Sequence, residues 1–168
     1  MSSDAEHKQQ APAVVRCYVV TVSDTRTDET DTGGRAIVDL LHAAGHQVAG
    51  KTIVKDDAPI VRSTVERQLA NAGVDAIITT GGTGISSRDA TYEAIVGLLE
   101  KQLDGFGELF RMISYHAIGS AAMMSRATAG LSANRIIIAL PGSEAAVRLA
   151  MEKLVLPELG HLVQQARK

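Results

Sequence analysis

Two aspartates and one glycine run are the residues of this 168-residue chain best suited to chemistry: Asp56 in VKDD, Asp89 in SSRD, and Gly81-Gly82-Thr83-Gly84 between them. Clustered glycines let backbone N–H groups approach an anion closely, and beside a helix start they form a nest that suits phosphate. Two carboxylates at such a place suit Mg²⁺, which takes one or two carboxylates together with phosphate oxygens and keeps several waters. Each feature alone has a plainer explanation. The glycines could make only a tight strand-to-helix turn, and a lone loop aspartate is more often a solvated residue or a helix cap. Neither GxxxxGK[ST] nor GxGxxG is present, which disfavours a P-loop or an ordinary dinucleotide site. His42 and His46 stand four apart, but Gly45 intervenes and no third ligand is near, so they read as surface positions.

Strands must bring these residues together. Val14 to Val22 is β-branched and nearly continuous, Gln47 to Val54 and Asp75 to Thr80 repeat the pattern, and Arg135 to Leu140 (RIIIAL) is a buried strand turned by Pro141 and Gly142. Helical spacing runs from Thr32 through Ile37, Leu40, Leu41 and Ala44 to Gly45, and from Ala58 to Ala72 through Val61, Val65 and Leu69. The order βαβαβ favours a parallel sheet with right-handed crossovers, whose ligands bind in the crevice at the strand C-termini. The loops at that edge deliver Ser23 and Asp24, Asp56 and Asp57, Gly81 to Gly84 with Asp89, and Pro141, Gly142 and Ser143. Further helices are expected around Ile95, Leu98 and Leu99, around Phe106, Leu109, Phe110 and Ile113, and after Ser143, with Pro157 marking a kink or the start of a second short helix. The stretch from Ala117 to Asn134 has no clear period. Phe106, Phe110, Met123 and Met124 fit either core or a subunit contact.

Composition narrows the class. Hydrophobic residues make up 45% but aromatics only 3%, so aliphatic side chains fill the interior, as in covered parallel sheets. Lys and Arg number 17 against 19 Asp and Glu, with no basic block, which argues against nucleic acid as a partner. Cys17 alone allows no internal disulfide and suits the cytoplasm. No apolar run reaches the roughly 18 residues of a membrane span. Met1 to Pro12 reads as a disordered N-terminal arm ahead of one domain over 13–168.

The run TGGTGISSRDATYEA resembles the TGGTG-x-x-x-RD-x-T-x-E signature of the MoaB/Mog family of molybdenum-cofactor biosynthesis. VSDTR, VKDD, GFGELFRMISY, SRATAG, LPGS and MEKLVLPELGHL extend the resemblance over nearly the whole chain. It implies a three-layer α/β/α sandwich with a mostly parallel sheet, the molybdopterin-binding, MogA-like fold, assembled as a homotrimer or hexamer. It also implies Mg-ATP-dependent adenylylation of molybdopterin with release of pyrophosphate. On that reading Asp56 and Asp89 are the catalytic pair and hold Mg²⁺. Ser23, Asp24, Gly81, Gly82, Thr83, Gly84, Pro141, Gly142 and Ser143 bind nucleotide and pterin, and other cofactor-synthesis proteins are further partners. The chain departs from the common family pattern at Lys55-Asp56-Asp57, at Tyr92 and at Glu144-Ala145. GFGELFRMISY is closer to the MoaB branch, for which a non-catalytic molybdopterin binder or carrier is the alternative.

Overall fold

A computed structural model describes residues 9–168. Four parallel strands form its centre: β1 (Arg16–Val22), β2 (Gln47–Val54), β3 (Ala76–Thr80) and β6 (Arg135–Leu140). The crossovers between them carry α1 (Thr32–Ala43) and α2 (Ala58–Leu69), and after β3 α3 (Thr91–Val96) and α4 (Asp104–Ile118). β4 (Lys101–Gln102) and β5 (Thr128–Ser132) complete the sheet antiparallel, in the order β2-β1-β3-β6-β5-β4. The chain ends in α5 (Glu144–Ala150), a π-helical turn over Met151–Val155 and α6 (Leu156–Ala166).

Burial on both sides explains the unbroken aliphatic runs. Successive residues of a strand point to opposite faces. Val19, Ile78, Ile138 and Leu140 pack with Ile37 and Leu41 of α1, Phe110 of α4, Val147 of α5 and Leu159 of α6. Val20, Ile77 and Ile137 pack on the other side with Val61 and Val65 of α2 and Ile95 of α3. The result is the expected three-layer α/β/α sandwich, mostly parallel. β2 and β6 have the limits that their β-branched runs predict. The unperiodic stretch from Ala117 resolves into the end of α4, a 3₁₀ helix (Gly119–Met124) and β5, whose TAGLS sequence is too short and too small-residued to announce a strand. Pro157 lies in the first turn of α6, and because proline offers no N–H to a helical ladder, the turn before it widens to π spacing.

Phe110 is core and Phe106 packs partly against it, whereas Met123 and Met124 are exposed. Cys17 is fully buried and burial pushes its thiol up to about 12, an inert side chain. Of the expected N-terminal arm, residues 1–8 lie outside the described residues, but Ala11 and Pro12 rest on α6. A Cβ added at Gly160 would stand 2.6 Å from the Pro12 carbonyl oxygen. Among the described residues no helix is long and apolar enough to cross a membrane.

One buried carboxylate ties the sheet edge opposite the site. Asp75, 6% exposed, accepts from the N–H (2.8 Å) and guanidinium (2.7 and 3.0 Å) of Arg16 and from Arg167 (2.5 Å). Burial pushes its carboxyl up, but the Arg16 hydrogen bonds and the two arginine charges outweigh that and hold it below the ordinary range. A depressed carboxylate stabilises the fold above its unfolded pKa of about 3.9, and the contribution disappears as pH falls through the lower folded value. Asp75→Asn is therefore expected to cost about 2 kcal/mol at pH 7, with the difference from wild type closing in acid; urea titrations at pH 7 and pH 3 check both. Equal stability at pH 7 would contradict this account.

Candidate functional site

The strand order reverses between β1 and β3, since β2 lies outside one and β6 outside the other. Such a switch point opens a crevice at the strand C-termini. A cavity of about 470 Å³ occupies it here, lined by Thr21 near the end of β1 with Ser23 and Asp24 beyond it, Asp56 after β2, Thr80 at the end of β3 with Gly81 to Gly84 and Asp89 beyond it, and Pro141 and Gly142 after β6. Four loops far apart in sequence thus converge as the strand pattern predicts.

The glycine loop is shaped by contacts only glycine tolerates. Gly81 has φ +98° and Gly82 φ +70°, the left-handed region, and a Cβ at Gly81 would stand 2.2 Å from the Val22 carbonyl oxygen. The Gly81 N–H donates to Leu140 O (3.0 Å), so it is not available to a ligand. Among the described residues the N–H groups of Gly82, Thr83 and Gly84 meet no acceptor. No helix starts at this loop, contrary to expectation. Residues 85–90 turn first, so free peptide N–H groups, without a helix terminus, are what the loop offers an anion.

The neighbouring Asp56 and Asp57 divide two tasks that the sequence cannot tell apart. Asp57 caps α2, accepting from the Ile60 N–H at 3.2 Å. Asp56, 9% exposed, turns into the cavity, where Oδ1 accepts from the Ala90 N–H at 3.0 Å. Burial first, then the charges of Asp89 and Asp24, raise its carboxyl above the ordinary range against the pull of the Ala90 N–H and Arg88. Asp89 lies against Gly84, with Oδ2 accepting from the Ser86 N–H at 2.8 Å; a Cβ at Gly84 would meet that oxygen at 2.7 Å. Among the described residues neither Asp56 nor Asp89 has an ion-pair partner, whereas the other two cavity aspartates do. Asp24 pairs with Arg88 at 2.7 Å and Asp31 with Lys51 at 2.6 Å. The Arg88 hydrogen bonds hold the Asp24 carboxyl below its usual range.

Ser23 lines the cavity and its Oγ accepts from the Thr25 and Arg26 N–H groups, so it shapes its own loop. Pro141 receives the Thr80 hydroxyl on its carbonyl at 2.7 Å. Ser143 is placed differently from expectation: it caps α5, accepting from the Ala146 N–H at 3.3 Å, and does not line the cavity. Sequence reasoning missed Asp31, a buried cavity residue that caps α1 and also accepts from the Thr21 hydroxyl at 2.7 Å. The signal for it is the Gly33-Gly34 pair that follows. A Cβ at Gly34 would stand 2.3 Å from the Asp31 carboxylate and 2.4 Å from Thr21 Oγ1, which marks a helix start pressed onto the sheet.

The family model described as "Probable molybdopterin binding domain" matches residues 18–161, and so spans every loop of this cavity. The chain belongs to the MoaB/Mog family of molybdenum-cofactor biosynthesis proteins. Molybdenum cofactor biosynthesis protein B of Bacillus subtilis is 52% identical to this MoaB/Mog chain over 164 residues, 97% of the chain and 96% of the relative. A crystal structure of a molybdenum cofactor biosynthesis protein B superposes with TM-score 0.90 at 52% identity, covering 94% of this chain and 98% of that one. The tungsten cofactor synthesising protein MoaB of Pyrococcus furiosus gives 0.83 at 36% identity, covering 94% and 100%. Likeness at this level covers the MoaB/Mog fold together with the four loops.

Proposed function

We propose that this protein binds molybdopterin and ATP in the β1–β2–β3–β6 cavity and transfers AMP to the molybdopterin phosphate. The observation that carries the reading is the meeting of two unpaired carboxylates, Asp56 and Asp89, with free N–H groups of the glycine loop in one crevice. A phosphate oxygen of molybdopterin forms a bond to the α-phosphorus of ATP while the α–β bridging bond breaks, and pyrophosphate leaves with the electron pair. The chain itself holds the reacting groups in line and shields them from water.

Among the described residues no three His, Cys, Asp or Glu side chains are grouped to hold a metal by themselves. Two carboxylates that repel one another, beside an anion-binding loop, fit Mg²⁺, which completes its shell with phosphate oxygens and water. Asp56 and Asp89 would hold it, and bound there it supplies neutralisation of phosphate charge. The exposed face of α4 and the 3₁₀ helix, with Leu109, Met112, Tyr115, Ile118, Met123 and Met124, supports assembly of the protein as a homotrimer or hexamer. Light scattering reads that mass directly.

A carrier that holds molybdopterin without chemistry is the second reading. Its support is that Glu144 and Ala145, not a lysine, come directly after Ser143 and that Glu144 is occupied by Arg148 at 3.0 Å, so the last loop adds no free cation. Purified protein incubated with molybdopterin and Mg-ATP is expected to form adenylyl-molybdopterin and pyrophosphate. Tight molybdopterin binding with no ATP-dependent product would select the carrier, and failure to bind molybdopterin would overturn both.

A further inference from the structure

Arg126, next to the cavity-lining Ser125, reaches the glycine loop from outside the cavity just described. It does not line that cavity; with Tyr92 and Arg111 it borders a separate one of about 460 Å³. Its Nε donates to the carbonyl oxygens of Gly84 (2.9 Å) and Thr83 (3.3 Å), and one terminal nitrogen donates to Gly84 again (2.5 Å). The other terminal nitrogen is paired with Glu93, and the guanidinium carbon lies 4.8 Å from the centroid of the Tyr92 ring. A planar fork of five donors can make this set of contacts at once; a single ammonium cannot.

The peptide plane converts these contacts into an effect on the site. All peptide bonds of the described residues are trans, and in a trans peptide the carbonyl of one residue and the N–H of the next point in opposite directions. Turning the Thr83 and Gly84 carbonyls toward Arg126 therefore turns the Gly84 and Ile85 N–H groups away from it, and Gly84 lines the cavity. Gly84 is also pressed against Asp89, so a loop that drifts would carry the carboxylate's support with it.

We propose that Arg126, held by Glu93 and the Tyr92 ring, is a positioning residue that fixes the glycine-loop peptides in their phosphate-binding orientation. The consequence for phosphate rests on the nucleotide reading above; the ordering of the loop does not. A glutamate pair at this exposure contributes little by itself, so the effect should be local to the loop and not a change in global stability.

Backbone 15N relaxation of the full chain tests the idea, comparing wild type with Arg126→Met, Arg126→Lys, Tyr92→Phe and Tyr92→Leu. Both Arg126 variants should lower the order parameters of the Gly82, Thr83, Gly84 and Ile85 N–H groups from about 0.85 to below about 0.6, with β3 and β6 unchanged. Tyr92→Leu should give a smaller drop and Tyr92→Phe none, because the ring face remains. The Kd for Mg-ATP should rise about tenfold in both Arg126 variants. Wild-type order parameters in Arg126→Lys would overturn the proposal, since a point charge would then suffice. Should Arg126→Met fail to fold, the lysine and leucine variants make the same comparison. Absence of Mg-ATP binding by the wild type would sink the nucleotide reading, and the order of the loop would still decide the role of Arg126.

Discussion

Asp56→Asn is expected to lower the proposed adenylylation by roughly 10²–10³-fold, the scale of losing one preorganised electrostatic group, while leaving the protein as stable as wild type or more so. The two halves of that result have one cause. Burial and the charges of Asp89 and Asp24 raise the Asp56 carboxyl, so the ionised form costs the folded state stability as pH rises through the folded pKa. Asparagine keeps an oxygen for the Ala90 N–H and removes the charge. Its melting temperature should accordingly gain on wild type between pH 4 and pH 8, as activity is lost. Asp89→Asn should lose activity comparably. Full turnover in both variants of an active wild type would refute the site assignment, and a lower melting temperature for Asp56→Asn at pH 8 would refute the electrostatic account.

Gly81→Ala is expected to destabilise the fold by about 3 kcal/mol or more, through left-handed strain together with a contact that cannot relax. Gly45 separates these causes. It has φ +83° with nothing within 4 Å of an added Cβ, so Gly45→Ala should cost only the backbone preference, about 1–2 kcal/mol. At Gly81 the obstacle is backbone, the Val22 carbonyl at 2.2 Å. Gly82→Ala falls between them in stability but strikes the site, because its Cβ would meet Thr91 Oγ1 at 2.1 Å and Asp56 Oδ1 at 3.0 Å. Urea denaturation of the three variants gives the order. Equal losses at positions 45 and 81 would show that the carbonyl contact carries no weight.

The central strands were legible in the sequence because coverage on both faces leaves long β-branched runs, and the edge was not. β4 is two residues long, and β5 contains alanine and glycine where pairing, not side-chain type, decides the structure. In the site, Asp56 and the glycines were readable because they follow their strands closely, and Asp89, nine residues beyond β3, because the run TGGTGISSRDATYEA carries it. Asp31 lies nine residues beyond β1, and only a folded loop shows that it returns to Thr21. Ser143 was misplaced for the opposite reason: the last position of a strand-end loop is also the N-cap of the next helix, and the cap bond took its oxygen.

The two-faced burial of β3 and β6 leaves their alignment open to slippage as far as apolar side chains are concerned. Isoleucine stands at 77 and 78 opposite isoleucine at 137 and 138, so shifting one strand by a residue would exchange like for like. Polar anchors at the strand ends forbid the slip: Arg135 Nε on the Val74 carbonyl below, the Gly81 N–H on the Leu140 carbonyl and the Thr80 hydroxyl on Pro141 above. The upper anchors belong to the loops that wall the cavity. Sequence drift in those loops is therefore constrained twice over, by the cavity they wall and by the strand alignment they lock.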